Sequence, residues 1–222
     1  MNRTGVLVGA APLGAERTFL DKVLETDAVY SIAVDGGISF FLERGIVPDY
    51  WIGDMDSVSK KDLERGMGGM SLKENFCQVP VMKDDTDMAL AAAKAYGQSC
   101  EEILIFGGTG GSRLSHTLAN IQLMLCYEKK GCHIRMIREQ SQMEVLYCGA
   151  KKFSKEMQGL ISVFSLTDRA EHVEIKGLKY EYEGALSNEC ALGVSNAFIG
   201  RDGWISVEEG ALLLVYEETL FF

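Results

Sequence analysis

The chain has 222 residues, 47% of them hydrophobic, with 22 Lys and Arg against 32 Asp and Glu and a formal net charge of −10. That length and apolar content exclude a disordered segment or a staple-dependent mini-protein, and the acidic balance argues against a nucleic-acid partner, whose non-specific affinity comes from basic side chains on phosphates. No run approaches the ~20 apolar residues that cross a bilayer, so no membrane partner is expected, and six cysteines without a CxxC pair suit reduced thiols in a cytoplasmic protein.

Short apolar runs at 5–8, 29–34, 50–52, 77–79 and 103–106 read as buried strands, the first too short and too soon broken by Pro12 for a secretory leader. Segments of helical period lie between them, at 16–24, 38–43, 86–96 and 115–129. The third puts Met88, Ala91, Ala92 and Ala95 on one face, and the fourth Leu114, Leu118, Ile121 and Leu125. Strands alternating with helices imply an α/β domain, residues 1–140, with a mostly parallel sheet and flanking helices. From about residue 141 to 222 period-two alternation takes over, at 143–147, 160–166, 172–175, 204–208 and 211–216. Glycines 159, 177, 193, 203 and 210 fall at turn spacing, which predicts a smaller all-β, sandwich-like domain. Trp51 and Trp204 are expected to pack in the core.

Ligands of such sheets bind beyond the carboxyl ends of the strands, where the polar motifs fall. Asp35-Gly36-Gly37 follows the second strand, Gly53-Asp54-Met55-Asp56-Ser57 the third and Lys83-Asp84-Asp85-Thr86-Asp87 the fourth. Paired carboxylates at Asp54 and Asp56, and at Asp84 and Asp87, suit Mg²⁺, which takes oxygen ligands from one or two acids plus the substrate's own phosphates. Turn formation by these Asp residues, helix capping by Asp84 or Thr86, and a charge-offsetting Lys83 are the structural alternatives. Gly107-Gly108-Thr109-Gly110-Gly111-Ser112-Arg113 precedes a helix, so bare N–H groups and a positive helix end are expected to form an anion site, the alternative being a plain strand-to-helix turn with Arg113 in solvent. Arg113 supplies a guanidinium for phosphate oxygens, and His116 is a further binding candidate. The segment Gly193-Val194-Ser195-Asn196 is a polar insertion that either turns the chain or reads a heteroaromatic ring.

These blocks, with Pro48-Asp49, His116-Thr117-Leu118-Ala119-Asn120 and Lys176-Gly177-Leu178-Lys179-Tyr180, resemble in order the signatures of bacterial thiamine pyrophosphokinases, nearly end to end. The resemblance implies a homodimeric enzyme with thiamine at the subunit interface, converting ATP and thiamine into AMP and thiamine diphosphate. By carry-over, Asp54, Asp56, Asp84 and Asp87 are catalytic and metal-associated positions, with Asp87 a candidate base. Asp35, Gly36, Gly37, Gly110, Gly111, Arg113 and His116 fall on nucleotide-binding positions, and Ser195 and Asn196 on the vitamin's. Two departures stand out: Ser115 where many relatives carry Asp after the loop Arg, and Ala89 where Glu is common. A pyrophosphokinase for another heterocyclic alcohol, such as a pterin, and a catalytically impaired thiamine- or nucleotide-binding protein are the alternatives.

Overall fold

The structure, a computed structural model, describes residues 3–69, 75–80, 84–111 and 113–218; Lys83 and Ser112 lie outside them. In chain order the elements are β1 (Arg3–Val8), α1 (Arg17–Leu24), β2 (Val29–Val34), α2 (Ile38–Arg44), β3 (Tyr50–Gly53), α3 (Lys60–Gly69), β4 (Phe76–Gln78), α4 (Asp87–Gly97), β5 (Cys100–Phe106), α5 (Leu114–Glu128), β6 (His133–Arg138), β7 (Ser141–Phe153), β8 (Leu160–Ser165), β9 (Arg169–Lys176), β10 (Tyr182–Ser187), β11 (Gly193–Ala197) and β12 (Gly203–Glu217). They form two compact units, Met1–Leu123 with Met136–Arg138, and Met124–Arg135 with Glu139–Phe222. The second therefore begins inside α5 and shares β6 with the first.

In the first unit the strands run in the order β5-β1-β2-β3-β4, every pair parallel. Val6, Leu7, Val8, Ile32, Ala33, Ile103 and Ile105 are fully buried, as expected for strands covered on both faces. The chain leaves β1 toward β2 and returns, after β4, on the opposite side of β1 at β5. The loops that follow β1 and β5 thus diverge around a crevice at the carboxyl edge. Helix α4 buries the expected face of Met88, Ala91, Ala92 and Ala95, and Thr86 caps it by accepting from Ala89 N at 3.1 Å.

Helix α5 departs from the expectation. Leu114 and Leu118 are 72% and 57% exposed, and the buried stripe is Asn120, Met124 and Tyr127. The periodicity counted leucines and passed over the amide, whose burial depends on a partner that the sequence does not show.

The second unit is β-rich and antiparallel. β12 runs alongside β7 for its whole length, its first half also pairing β9 and its second half β8, with the register shifting between Val207 and Ala211. Gly210, expected to be a turn, instead sits in this bulge, and two anticipated strands are one. The bulge lets a single strand serve two partners in succession. The core between them comprises Phe153, Ile161, Val163, Val173, Ile175, Ile205, Val207, Leu212, Leu214 and Tyr216. Trp204 stays outside it, 42% exposed, whereas Trp51 is fully buried in the first unit.

One polar cluster lies inside the second unit. Glu144, 1% exposed, takes hydrogen bonds from His133 Nε2 (2.9 Å), Lys151 Nζ (2.6 Å) and the Tyr216 hydroxyl, while His133 Nδ1 lies 2.8 Å from Glu128 Oε2. With a carboxylate at each ring nitrogen, His133 is held as an imidazolium, its pKa raised to about 9 by the hydrogen bonds to Glu128 and Glu144 against the opposing effect of burial. Burial works to raise the Glu144 pKa, but the bonds from His133, Lys151 and Tyr216 bring it down to about 2.

Candidate functional site

Asp35 follows β2 directly and adopts a left-handed backbone (φ 48°), a conformation rare for residues with a side chain. Three contacts hold it there. The buried indole of Trp51 donates to its carbonyl at 3.1 Å, Met55 N donates to Oδ1 at 3.2 Å, and its carboxylate fills the space where Gly53 lacks a side chain. A Cβ on Gly53 would come within 1.8 Å of Asp35 Oδ1, so the glycine ending β3 is required by the acid ending β2.

Asp54 comes next in chain order, its Oδ1 accepting from Asp56 N at 3.0 Å. Asp87 opens α4, where the positive helix end favours a carboxylate. Asp35, Asp54 and Asp87 each present an oxygen within 4.8 Å of the others, all three partly buried. Burial, the Asp87 charge and the charges of Asp54 and Asp56 push the Asp35 pKa up to about 7, against the lowering effect of the Met55 N–H. Three crowded carboxylates with hard oxygen donors fit a divalent cation such as Mg²⁺.

The anticipated pairs are therefore divided differently in space. Asp56 faces the cleft and lies 3.8 Å from Arg113, outside the trio. Asp84 is exposed and belongs neither to the trio nor to the cleft wall. Asp35, read from sequence as a ligand-binding residue, is the third member.

The cleft holds about 490 Å³ and is walled by Gly9 to Pro12 after β1, Asp35, Asp56, Ser57, Thr86, Asp87 and, across from the acids, Gly107 to Thr109, Gly111, Arg113 and His116. Its size suits a small-molecule ligand. Asn120, reaching from the buried stripe of α5, donates from Nδ2 to the Gly108 carbonyl at 2.7 Å and anchors the glycine loop. Sequence reading placed Asn120 in a motif without giving it this task. Gly36 N donates to Ser57 Oγ at 3.0 Å, tying the Asp35 turn to the segment after β3, and Gly37 is buried against the backbone of Val8 and Gly9. Ser115 is exposed in the first turn of α5.

Ser195 and Asn196 belong to the second unit, on β11, a strand where an insertion was expected. Ser195 is exposed at φ 57°, its N–H donating to Ser162 Oγ at 3.0 Å. Asn196 is buried. Its Oδ1 accepts from Tyr180 N and Ala197 N, both at 2.9 Å, and Nδ2 donates to the Tyr180 carbonyl at 2.7 Å. Asn196 therefore fastens the loop before β10 and leaves the neighbouring Ser195 to face outward. Asn196→Ala is expected to cost about 1–3 kcal/mol, the penalty of stripping buried backbone groups of partners, read as a lower denaturant midpoint at unchanged slope.

An α/β unit that brings three acids together and sets a glycine loop at the same sheet edge, joined in sequence to a β-rich unit, defines the class of protein. Comparison with known proteins narrows the class. Residues 22–136 match the family model "Thiamin pyrophosphokinase, catalytic domain", and residues 151–212 match "Thiamin pyrophosphokinase, vitamin B1 binding domain". A thiamine pyrophosphokinase from Bacillus subtilis (strain 168) is 29% identical over 189 residues, 83% of this chain and 85% of the relative. The crystal structure of the Bacillus subtilis enzyme superposes with a TM-score of 0.85 at 27% identity, covering 97% of this chain and 99% of that one. That of Geobacillus thermodenitrificans thiamin pyrophosphokinase gives 0.80 at 26%, covering 97% of each. The chain belongs to the thiamine pyrophosphokinase family.

Proposed function

We propose that the protein transfers the pyrophosphoryl group of ATP to the hydroxyl of thiamine, releasing AMP and thiamine diphosphate, as a cytoplasmic Mg²⁺-dependent homodimer with the vitamin at the subunit interface. The observation that carries this reading is the convergence of Asp35, Asp54 and Asp87 within 4.8 Å of one another in a chain whose two units each match a model of this family. The B1-binding match of the second unit favours thiamine over a pterin-like alcohol, and the intact acidic trio favours turnover over binding alone. No helix among the described residues is long and apolar enough to cross a membrane.

The thiamine hydroxyl oxygen attacks the β-phosphorus in line as the bond from that phosphorus to the α-bridging oxygen breaks, and the hydroxyl proton is given up. Asp35, Asp54 and Asp87 would hold the cation, which when bound offsets charge on the phosphates. The N–H groups of the glycine loop and Arg113 receive the phosphate oxygens from the opposite wall. Asp56, 3.8 Å from Arg113, orients that guanidinium. Asp87 lines the cleft and is the candidate for the proton.

Purified protein incubated with ATP, Mg²⁺ and thiamine is expected to form AMP in step with thiamine diphosphate. ADP, free phosphate or no product would overturn the reading.

A further inference from the structure

A second guanidinium meets the glycine loop. Arg138 closes β6, and a Cβ placed on Gly110 would stand 2.2 Å from its Nη1, 2.3 Å from Cζ and 2.8 Å from Nη2. Those separations put the point above the flat face of the guanidinium and not at its N–H edge, so Arg138 lies stacked on the loop backbone. Gly110 itself is left-handed at φ 80°. A side chain there would meet both backbone strain and the arginine. The neighbours of Gly110 on either side, Thr109 and Gly111, wall the cleft, and Gly110 and Arg138 do not. Arg138 thus braces the loop from outside the cleft, while Asn120 ties it down at Gly108.

We infer that Arg138 is a positioning residue for the nucleotide. By lying across Gly110 it fixes the left-handed turn that aims the loop N–H groups and Arg113 into the cleft, and it sets a positive charge beside the anion site of a protein with net charge −10. A lysine cannot replace it, because the brace uses the planar face of the side chain as well as its charge. This inference rests on the reading that the loop receives ATP phosphates.

Three variants test it: Arg138→Ala, Arg138→Lys and Gly110→Ala, with the Arg138→Ala/Gly110→Ala pair closing a cycle. The expected result for Arg138→Ala is a KM for ATP raised about tenfold, with the KM for thiamine unchanged, and equal weakening of a fluorescent ATP analogue measured by direct titration. Arg138→Lys should recover only a minor part of that loss. If Arg138 acts through Gly110, the double variant should be little worse than Gly110→Ala alone, whereas independent roles give additive losses. An unchanged KM for ATP, a parallel rise in the KM for thiamine, full recovery by lysine, or additivity in the cycle would each overturn the assignment. Arg138 is exposed, so the variants are expected to fold, and a lowered thermal midpoint accompanying the kinetic change would mark a merely structural role and also overturn it. Failure of the wild-type protein to make thiamine diphosphate, by contrast, counts against the proposed reaction, while the nucleotide titration still reads the brace.

Discussion

Asp54→Asn should lower turnover by roughly 10²–10³-fold, the usual consequence of deleting one electrostatic contact to a transferring phosphoryl group, while the metal-free protein becomes more stable. Both halves follow from the crowding of Asp35, Asp54 and Asp87. In the proposed reaction the three carboxylates would hold the cation that offsets charge on the phosphates. Without it, burial first, then the Asp87 charge and, to a smaller degree, the charges of Asp54 and Asp56 raise the Asp35 pKa to about 7. The sign follows from linkage: a carboxyl whose folded pKa is raised contributes stability below its unfolded value of 3.8, and that contribution is lost as pH rises through about 7. Wild-type protein in chelator should thus melt at lower temperature at pH 8 than at pH 5.5 by this contribution. Asn at position 54 should shrink the difference, and Mg²⁺ should raise the melting temperature of the wild type far more than that of the variant. A variant with near-normal rates would remove Asp54 from the metal site, and one that melts lower in chelator would show that the acid is packed and not strained.

Glu144→Ala carries the largest stability effect, expected at about 3–5 kcal/mol because removal of one partner leaves the others buried and uncompensated. The Tyr216 hydroxyl loses its acceptor, and His133 and Lys151 lose the charge they face. Since whole domains are stable by only ~5–15 kcal/mol, chemical denaturation should show a drop of that size, and a change below ~1 kcal/mol would rule out the cluster as a determinant of the second unit's stability. The pH window is set by the two shifts. The Glu144 contribution, from a lowered pKa, is present above 4.5 and lost as pH falls through about 2. The His133 contribution, from a raised pKa, is present below 6.5 and lost as pH rises through about 9. His133→Gln should therefore flatten the alkaline limb and, because the His133 bond is the largest of those that lower the Glu144 pKa, also weaken the acid limb and move it to higher pH.

The strands of the first unit were legible because each is a short apolar run, four of the five ended by glycine or aspartate (Gly9, Asp35, Gly53 and Gly107) and β4 by Val79-Pro80, and the motifs all fall at the carboxyl edge of the sheet. The grouping of acids within those motifs was not. Spacing suggested pairs, Asp54 with Asp56 and Asp84 with Asp87, but convergence depends on which strands are neighbours and where a helix begins. β2 and β3 are adjacent, so Asp35 and Asp54 end side by side, and α4 starts at Asp87, which turns that carboxylate inward and leaves Asp84 in the preceding loop. α3 escaped notice because Gly66, Gly68 and Gly69 weaken any helical signal. β6 was missed because His133, Arg135 and Arg138 interrupt its apolar residues, and with it went Arg138. In the second unit a single bulge at Gly210 imitated a turn, since a glycine of positive φ serves either purpose.

The bond from Trp51 to the Asp35 carbonyl has an optical corollary. The chain has two tryptophans: one sealed in apolar surroundings and fastened to the turn that carries an acid of the trio, the other half-wet in the remaining unit. Their emission should differ in colour. With phenylalanine at 204, the surviving fluorescence would come solely from the indole that grips the Asp35 turn, giving the protein a built-in lamp whose shade and intensity register the arrival of a cation without any added dye.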